Sequence, residues 1–238
     1  MSAYYEYQAE ARGLRCEADV ESVVQWMATA YAQILLPRWL PPERTAAIYE
    51  VACGPGIMLR YLQRAGYGNV SGSDSSACQI ALAQAAGLNV AQADSLKELA
   101  GHRDGSWDCV IGIDFIEHLP KDVLLEFLAL AARKLKPGGR LILRGPNADS
   151  PLVGRNLYND ITHVWAYTTI ALRGLLQMSG FERLEFAEDC EALVGTQRWL
   201  KVPLMRLAQA LARGLIRAAT REQVEWLSPS IYVCAWKK

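Results

Sequence analysis

From about residue 45 to 190 the chain alternates short apolar runs with longer segments in which apolar residues recur every three or four positions. The short runs predict strands near 47–52, 69–73, 88–92, 108–113, 139–144 and 181–187, with a seventh at 230–236. Runs that are apolar throughout suit strands buried on both faces. The periodic segments predict helices near 57–65, 76–86, 121–135 and 168–179, and two more fall outside the alternation at about 19–36 and 203–219. Strands and helices in turn build an α/β fold: a doubly wound, mostly parallel, seven-stranded sheet with helices on both faces. Pro37, Pro41 and Pro42 end the first helix and make 37–45 a hinge. The expected organisation is an N-terminal helical cap and linker (1–45), an α/β core (46–190), a helical insert or lid (191–228) and a final strand of the core sheet (229–238).

The candidate chemistry begins where the first strand ends. Ile48-Tyr-Glu-Val-Ala-Cys-Gly-Pro-Gly56 runs from an apolar segment into a glycine-bearing turn, and Ile57-Met-Leu-Arg-Tyr-Leu-Gln then opens a helix. Open α/β sheets hold nucleotide-like ligands at such a junction, although an ordinary βα turn looks the same. Gly54 and Gly56 permit positive φ and close approach of backbone to a ligand. Asp74 ends the next apolar segment, about 20 residues after Gly54, where a ribose-binding acid belongs. Dinucleotide binding wants a small residue three positions beyond the second glycine, and Leu59 stands there, which argues against a dehydrogenase. Glu50, at the strand end, repels a pyrophosphate and suits a ligand with a cationic end.

The run from Glu50 to Gly56 resembles the cofactor motif of class I S-adenosylmethionine-dependent methyltransferases. Further segments resemble that family in its own order: Gly72-Ser-Asp74-Ser-Ser, Gln92-Ala-Asp94-Ser95, Trp107-Asp-Cys-Val-Ile-Gly-Ile-Asp-Phe-Ile-Glu-His-Leu119 and Leu135-Lys-Pro-Gly-Gly-Arg-Leu-Ile-Leu143. The resemblance spans roughly residues 20 to 190, with Ala52 where the family usually has its first glycine. It implies a Rossmann-like methyltransferase fold with an antiparallel last strand, and S-adenosylmethionine as cofactor. It implies, further, that the backbone of Ala52, Cys53, Gly54, Pro55 and Gly56 lines the methionine portion and that Glu50 sets negative charge near the sulfonium or ammonium. Asp74, with Ser75 beside it, is then the ribose acid, and Asp94 the adenine-edge residue with Ser95 as neighbour. Ile113, Asp114 and Phe115 bound the methyl-transfer end, and His118 lies at the mouth, touching cofactor or orienting a loop. Structural roles stand beside these: helix caps for Asp74, Asp94 and Ser95, and a core aromatic for Phe115. Gly138-Gly139 is expected to terminate the preceding helix.

Of the three histidines, His102 sits in a polar loop and reads as solvated. His163 follows Asp160 and Thr162 in a loop ahead of a helix start at Thr168 or Thr169, and the acid can hold the imidazole tautomer. Asp160-Ile-Thr-His163, with Gly180-Phe181 beyond, also resembles a methyltransferase subset found in glycan and lipid-linked saccharide pathways, which implies His163 as an acceptor-side base assisted by Asp160. A metal held by Asp160 and His163 lacks supporting acids in the sequence, and no metal is expected. The expected activity is O-methylation of a small-molecule or saccharide acceptor. The alternatives are a quinone- or phenol-type O-methyltransferase and a non-catalytic S-adenosylmethionine-binding regulator.

Composition narrows the partners. Hydrophobic residues make up 51% and charged residues 21%, and 25 basic residues balance 25 acidic ones, so no global field draws the chain to nucleic acid. The six cysteines form no Cys-x-x-Cys pair and read as reduced thiols, mostly buried, in a cytoplasmic protein. The N-terminus has neither the basic start nor the apolar core of a signal peptide, and no run is long enough to span a bilayer. Arg206, Arg213, Arg217 and Arg221 fall roughly on one face of the 203–219 helix. That helix is a lid or core helix, a homodimer surface, or a contact with an anionic membrane or phosphate-linked substrate, so the chain is a monomer or a homodimer.

Overall fold

A computed structural model describes Tyr7 and residues 16–189 and 198–238. After helix α1 (Glu17–Ile34) come β1 (Ile48–Val51), α2 (Ile57–Arg64), β2 (Val70–Asp74), α3 (Ala77–Ala85), β3 (Val90–Gln92), α4 (Ser95–Gly101) and β4 (Trp107–Ile113). A 3₁₀ turn at Ile116–His118 leads into α5 (Lys121–Lys134), β5 (Leu135–Pro146), α6 (Val153–Tyr158), α7 (Thr169–Met178) and β6 (Phe181–Glu188). Helix α8 (Arg198–Thr220) precedes β7 (Ser230–Lys237). The expected cap at 1–15, apart from Tyr7, the junction at 190–197 and Cys190 lie outside the described residues.

The seven strands form one sheet in the order β3-β2-β1-β4-β5-β7-β6. Strands β1 to β5 pair in parallel, while β7 lies antiparallel between β5 and β6, as the family resemblance implies. Alternation of side chains sorts the strand residues into two cores. Ile48, Cys109, Ile111 and Ile142 pack with Leu35, Met58, Leu59 and Leu62 on one face. Tyr49, Val51, Val110, Leu141 and Leu143 pack with Phe127, Leu128, Leu172 and Leu176 on the other. β1 is buried along its whole length, which explains its unbroken apolar reading save for Glu50. The strand order reverses between β1 and β4, which run parallel, so the crevice at their carboxyl ends is where such a sheet binds ligands.

Helix α1 is held over that crevice by paired charges. Arg60 of α2, almost wholly buried, donates to Glu17 at 2.9 Å and to the carbonyls of Leu82 and Pro55 at 3.0 and 3.3 Å. Arg64 donates to Glu21 at 2.8 Å one turn on.

The sequence-based element map needs three corrections. Gly138-Gly139 does not end α5, which stops at Lys134; it lies within β5, where the register jumps from Trp107↔Leu135 to Cys109↔Arg140. Residues 136–139 therefore bulge out of the ladder, Gly138 takes φ +72°, and a Cβ on Gly139 would lie 2.8 Å from the Lys136 carbonyl. Pro203, read as a helix start, lies inside α8. The 3₁₀ turn and α6 carry too few residues for a helical period to show in the sequence.

Candidate active site

A cavity of about 1140 Å³ opens at the carboxyl ends of β1, β2 and β4 beneath α1, whose Val23, Trp26, Met27 and Tyr31 form part of its wall. Of the residues singled out from the sequence, Glu50, Ala52, Cys53, Gly54, Pro55, Asp74, Ser75, Asp94, Ser95, Ile113, Asp114, Phe115, His118, Asp160 and His163 all line it. Gly56 does not. It caps α2 at φ +79°, and a Cβ there would sit 2.2 Å from a methyl of Leu88, so its glycine serves helix packing rather than close approach to a ligand.

The turn after β1 is shaped by backbone. Ala52 holds φ +50°, so the position where the resemblance expects glycine does need a left-handed residue, and the alanine carries strain there. Neighbouring strands hold the turn in place. The amide of Cys53 donates to the Ser73 carbonyl at 3.0 Å, that of Gly54 to Asp74 at 2.9 Å, and that of Ala52 to the Ser95 hydroxyl at 3.0 Å. Behind them Tyr49 donates to the Ser73 hydroxyl at 2.6 Å, Ser73 to Ser95 at 3.1 Å, and Ser95 on to the Ser73 carbonyl at 3.0 Å. Ser95 is thus a buried brace for the glycine turn. The cap of α4 is Asp94, one of whose oxygens accepts from the amides of Leu96 and Lys97, both at 3.1 Å. Asp74 is not the cap of α3, which is Ser76; its two oxygens accept from Gly54 and from the Ser76 amide at 2.8 Å.

Electrostatics give the cavity its character. Seven carboxyl groups line it, those of Glu50, Asp74, Asp94, Asp114, Glu117, Asp160 and Asp189, against one guanidinium, Arg144, and burial pushes the pKa of Glu117 well above the ordinary range. That arginine is already paired with Asp114 and Asp189 and stacks over Tyr232 at 5.7 Å, and the two aspartates hold its pKa well above the ordinary value although burial works against the charge. Asp114 itself sits at φ +50°. Glu50 is buried and one of its oxygens has no hydrogen-bond partner. Burial, with Asp74 adding repulsion, pushes its pKa well above the carboxylate range. A bound cation reverses that balance.

The far side of the cavity is built around two imidazoles, His118 on the 3₁₀ turn and His163, whose rings meet edge to face at 4.7 Å. Asp160 accepts from the Thr162 hydroxyl at 2.6 Å and its amide at 2.9 Å, and the Thr162 oxygen lies 2.8 Å from Nδ1 of His118. Because that hydroxyl donates to Asp160, His118 donates to it through Nδ1–H and keeps a basic Nε2. Nδ1 of His163 lies 2.9 Å from the Asn156 carbonyl, which accepts only, so His163 likewise carries its proton on Nδ1. The sequence reading gave Asp160 the His163 tautomer; the geometry gives that task to Asn156 and ties Asp160 through Thr162 to His118. Burial and the neighbouring His163 lower the pKa of His118. For Asp160 burial acts upward, but the two Thr162 bonds outweigh it and the pKa is lowered. Thr168 caps α7 by accepting from Ala171 at 3.2 Å.

Glu117, His118 and His163 also bring one donor atom each within 4.8 Å of one another, a set that could hold a divalent cation and that includes neither the Asp160 nor the spacing considered from sequence. His102 is not a solvated loop residue. Its ring packs 5.2 Å from Tyr49 and 5.1 Å from Trp107. Phe115 is both core and cavity wall, edge-on to Phe127 at 5.2 Å. Sequence reasoning missed Arg144, Asp189 and Glu117. Glu117 adjoins His118 and was within reach; Arg144 and Asp189 meet only because β5 and the end of β6 flank β7.

Comparison with known proteins adds independent findings. A family model described as a methyltransferase domain matches residues 23–185. A ubiquinone biosynthesis O-methyltransferase of Xanthomonas oryzae pv. oryzae is 30% identical over 103 residues, covering 41% of this chain and 42% of that protein. Its counterpart in Nitrosococcus oceani is 30% identical over 99 residues, 40% of this chain and 41% of that one. The match thus spans about two fifths of these relatives. Among solved structures, a methyltransferase of Archaeoglobus fulgidus superposes with a TM-score of 0.66 at 21% identity, covering 88% of this chain and 94% of that one. A phosphoethanolamine N-methyltransferase of Haemonchus contortus, solved with S-adenosyl-L-methionine, gives 0.58 at 16% identity over 86% of this chain and 51% of that one. At these identities the structural likeness speaks for the fold.

Proposed function

The chain belongs to the methyltransferase-domain family, and on that premise we propose that it transfers the methyl group of S-adenosylmethionine to a hydroxyl oxygen of a small, phenol-type acceptor. The observation that carries the cofactor reading is the lining of the cavity: seven carboxyl groups facing an arginine whose charge is already matched. A pyrophosphate entering this space meets repulsion. A ligand bearing a sulfonium and an ammonium gains attraction and partners the orphaned oxygen of Glu50.

In this reading Glu50 and the turn from Ala52 to Pro55 hold the methionine portion. Asp74 accepts from the two ribose hydroxyls, for which its oxygens retain lone pairs beside the bonds to Gly54 and Ser76. The second oxygen of Asp94 meets the adenine amine. Ile113, Asp114 and Phe115 bound the transfer end. The cofactor supplies an activated methyl group, so the protein's work is alignment of the acceptor and removal of its proton. His163, its tautomer held by Asn156, takes that proton on Nε2, and His118 orients the pair.

For the acceptor, the wall of Trp26, Met27, Phe115, Leu119 and Val123 favours an aromatic ring over a saccharide. The curated relatives named for ubiquinone biosynthesis favour the same class. A screen of catechols, phenols and simple glycosides with labelled S-adenosylmethionine tests this: turnover confined to glycosides overturns the phenol assignment. A second reading rests on the grouping of Glu117, His118 and His163 within 4.8 Å, since a divalent cation there would hold the acceptor oxygen itself. Exhaustive chelation separates the two. The base reading predicts an unchanged rate; loss restored by magnesium or zinc assigns the metal.

A further inference from the structure

Helix α8 carries an apolar stripe that nothing among the described residues covers. Leu204, Leu207, Leu211 and Leu215 are 68%, 58%, 61% and 72% exposed, and their spacing of three, four and four places them on one face. A second face turns to the body of the protein: Met205, Gln209, Ala212, Arg213 and Ile216 are half-buried. Gln209 donates to Glu188 at 3.0 Å, and Arg213 to the Glu225 carbonyl at 2.9 Å. The leucines are therefore not core residues of a lid; they point outward. Monomeric soluble proteins seldom leave a contiguous stripe of large aliphatic side chains in water without a use.

Charge decides what the stripe is for. From Arg198 to Arg221 the chain holds six basic residues and no Asp or Glu, within a protein whose charges otherwise balance. Arg206 and Arg217 are exposed on the side away from the leucines. An aliphatic face backed by a purely basic polar face is the make-up of a helix that lies in the plane of an anionic bilayer. The rest of the chain carries an excess of acid, so the surface that attracts α8 repels the body and sets the orientation of docking. A second copy fits less well, since pairing through this helix sets basic residues against basic residues with no acid to offset them. A nucleic acid would engage the arginines and leave the leucines in water.

We propose that α8 docks the enzyme on the surface of anionic phospholipid membranes, with Leu204, Leu207, Leu211 and Leu215 entering the interface and the arginines drawing it there. No described helix is long and apolar enough to cross a membrane, so this is peripheral contact. The proposal stands apart from the identity of the methyl acceptor.

The test is sedimentation of the full chain with vesicles of phosphatidylcholine alone and with phosphatidylglycerol added, at low and physiological salt. The wild type is expected to pellet with the anionic vesicles only, and less so as salt rises. L207E/L211E should stay in the supernatant with an unchanged circular dichroism spectrum and melting temperature, both sites being exposed. R206Q/R217Q should lose roughly fivefold in partition for each arginine. The proposal is overturned by a wild type that ignores anionic vesicles at low salt, or by leucine variants that bind as well as the wild type. It is also overturned if light scattering shows a dimer that L207E/L211E makes monomeric, which assigns the stripe to a second copy.

Discussion

The two halves of the cavity are built by opposite means. On the side of β1 to β3, the turn Ala52–Gly56 is fixed by backbone conformation and by amides bonded to Ser73 and Asp74 at the end of β2 and to Ser95 at the start of α4. On the far side, His118 and His163 come from separate loops and meet because Thr162 bonds one and Asn156 the other. The first half depends on positive φ and on parallel register; the second depends on long-range packing.

Substitutions can break this contrast at either end. The largest effect is expected on the acceptor side: H163A should slow methyl transfer by roughly two to four orders of magnitude while leaving affinity for S-adenosylmethionine unchanged in titration calorimetry. A parallel loss of affinity would show that His163 belongs to the cofactor half. Next comes D74A, which should weaken that affinity by about 1–3 kcal/mol, and would disorder the turn as well because Gly54 loses its acceptor. An unchanged dissociation constant removes Asp74 from the ribose.

E50Q gives a smaller effect with a definite pH sign. Because burial raises the folded-state pKa of Glu50, the folded protein binds a proton that the unfolded chain releases above its ordinary range near 4.5. Stability from this group is full below that range and is lost as pH climbs toward the folded value. The glutamine variant should therefore melt a few degrees higher than the wild type at pH 8 and match it near pH 4, while binding S-adenosylmethionine less tightly. Equal melting at both pH values would mean that the folded protein does not raise the pKa of this carboxyl. The smallest effect is A52G, which removes a side chain from φ +50° and should stabilise the fold by roughly 0.5–1 kcal/mol in chemical denaturation. Destabilisation would mean that the alanine methyl is packed rather than strained.

Legibility in the sequence followed the same divide. The glycine turn, Glu50 and Asp74 lie in short segments whose residue types are dictated by local backbone and charge, so spacing and charge revealed them, while Asp94 followed from the family resemblance. The alternation of apolar runs likewise foretold a mostly parallel sheet, because strands buried on both faces leave unbroken apolar text. What the text concealed was three-dimensional. Asp160 sits beside His163 in sequence yet reaches His118 through Thr162. Arg144 carries no local signal, and its partners Asp114 and Asp189 lie 30 and 45 residues away. The stripe on α8 could be read as helical but not as exposed, since a leucine period looks the same whether it faces a core or water.

The central claim is that the acid-lined half selects a ligand with a cationic ammonium end over one that carries a pyrophosphate. Calorimetric titration of the wild-type chain at pH 8 with S-adenosylmethionine, S-adenosylhomocysteine and NAD tests it most directly. Micromolar binding of the two sulfur ligands with no heat from NAD is the predicted result; binding of NAD, or silence from both sulfur ligands, would contradict it.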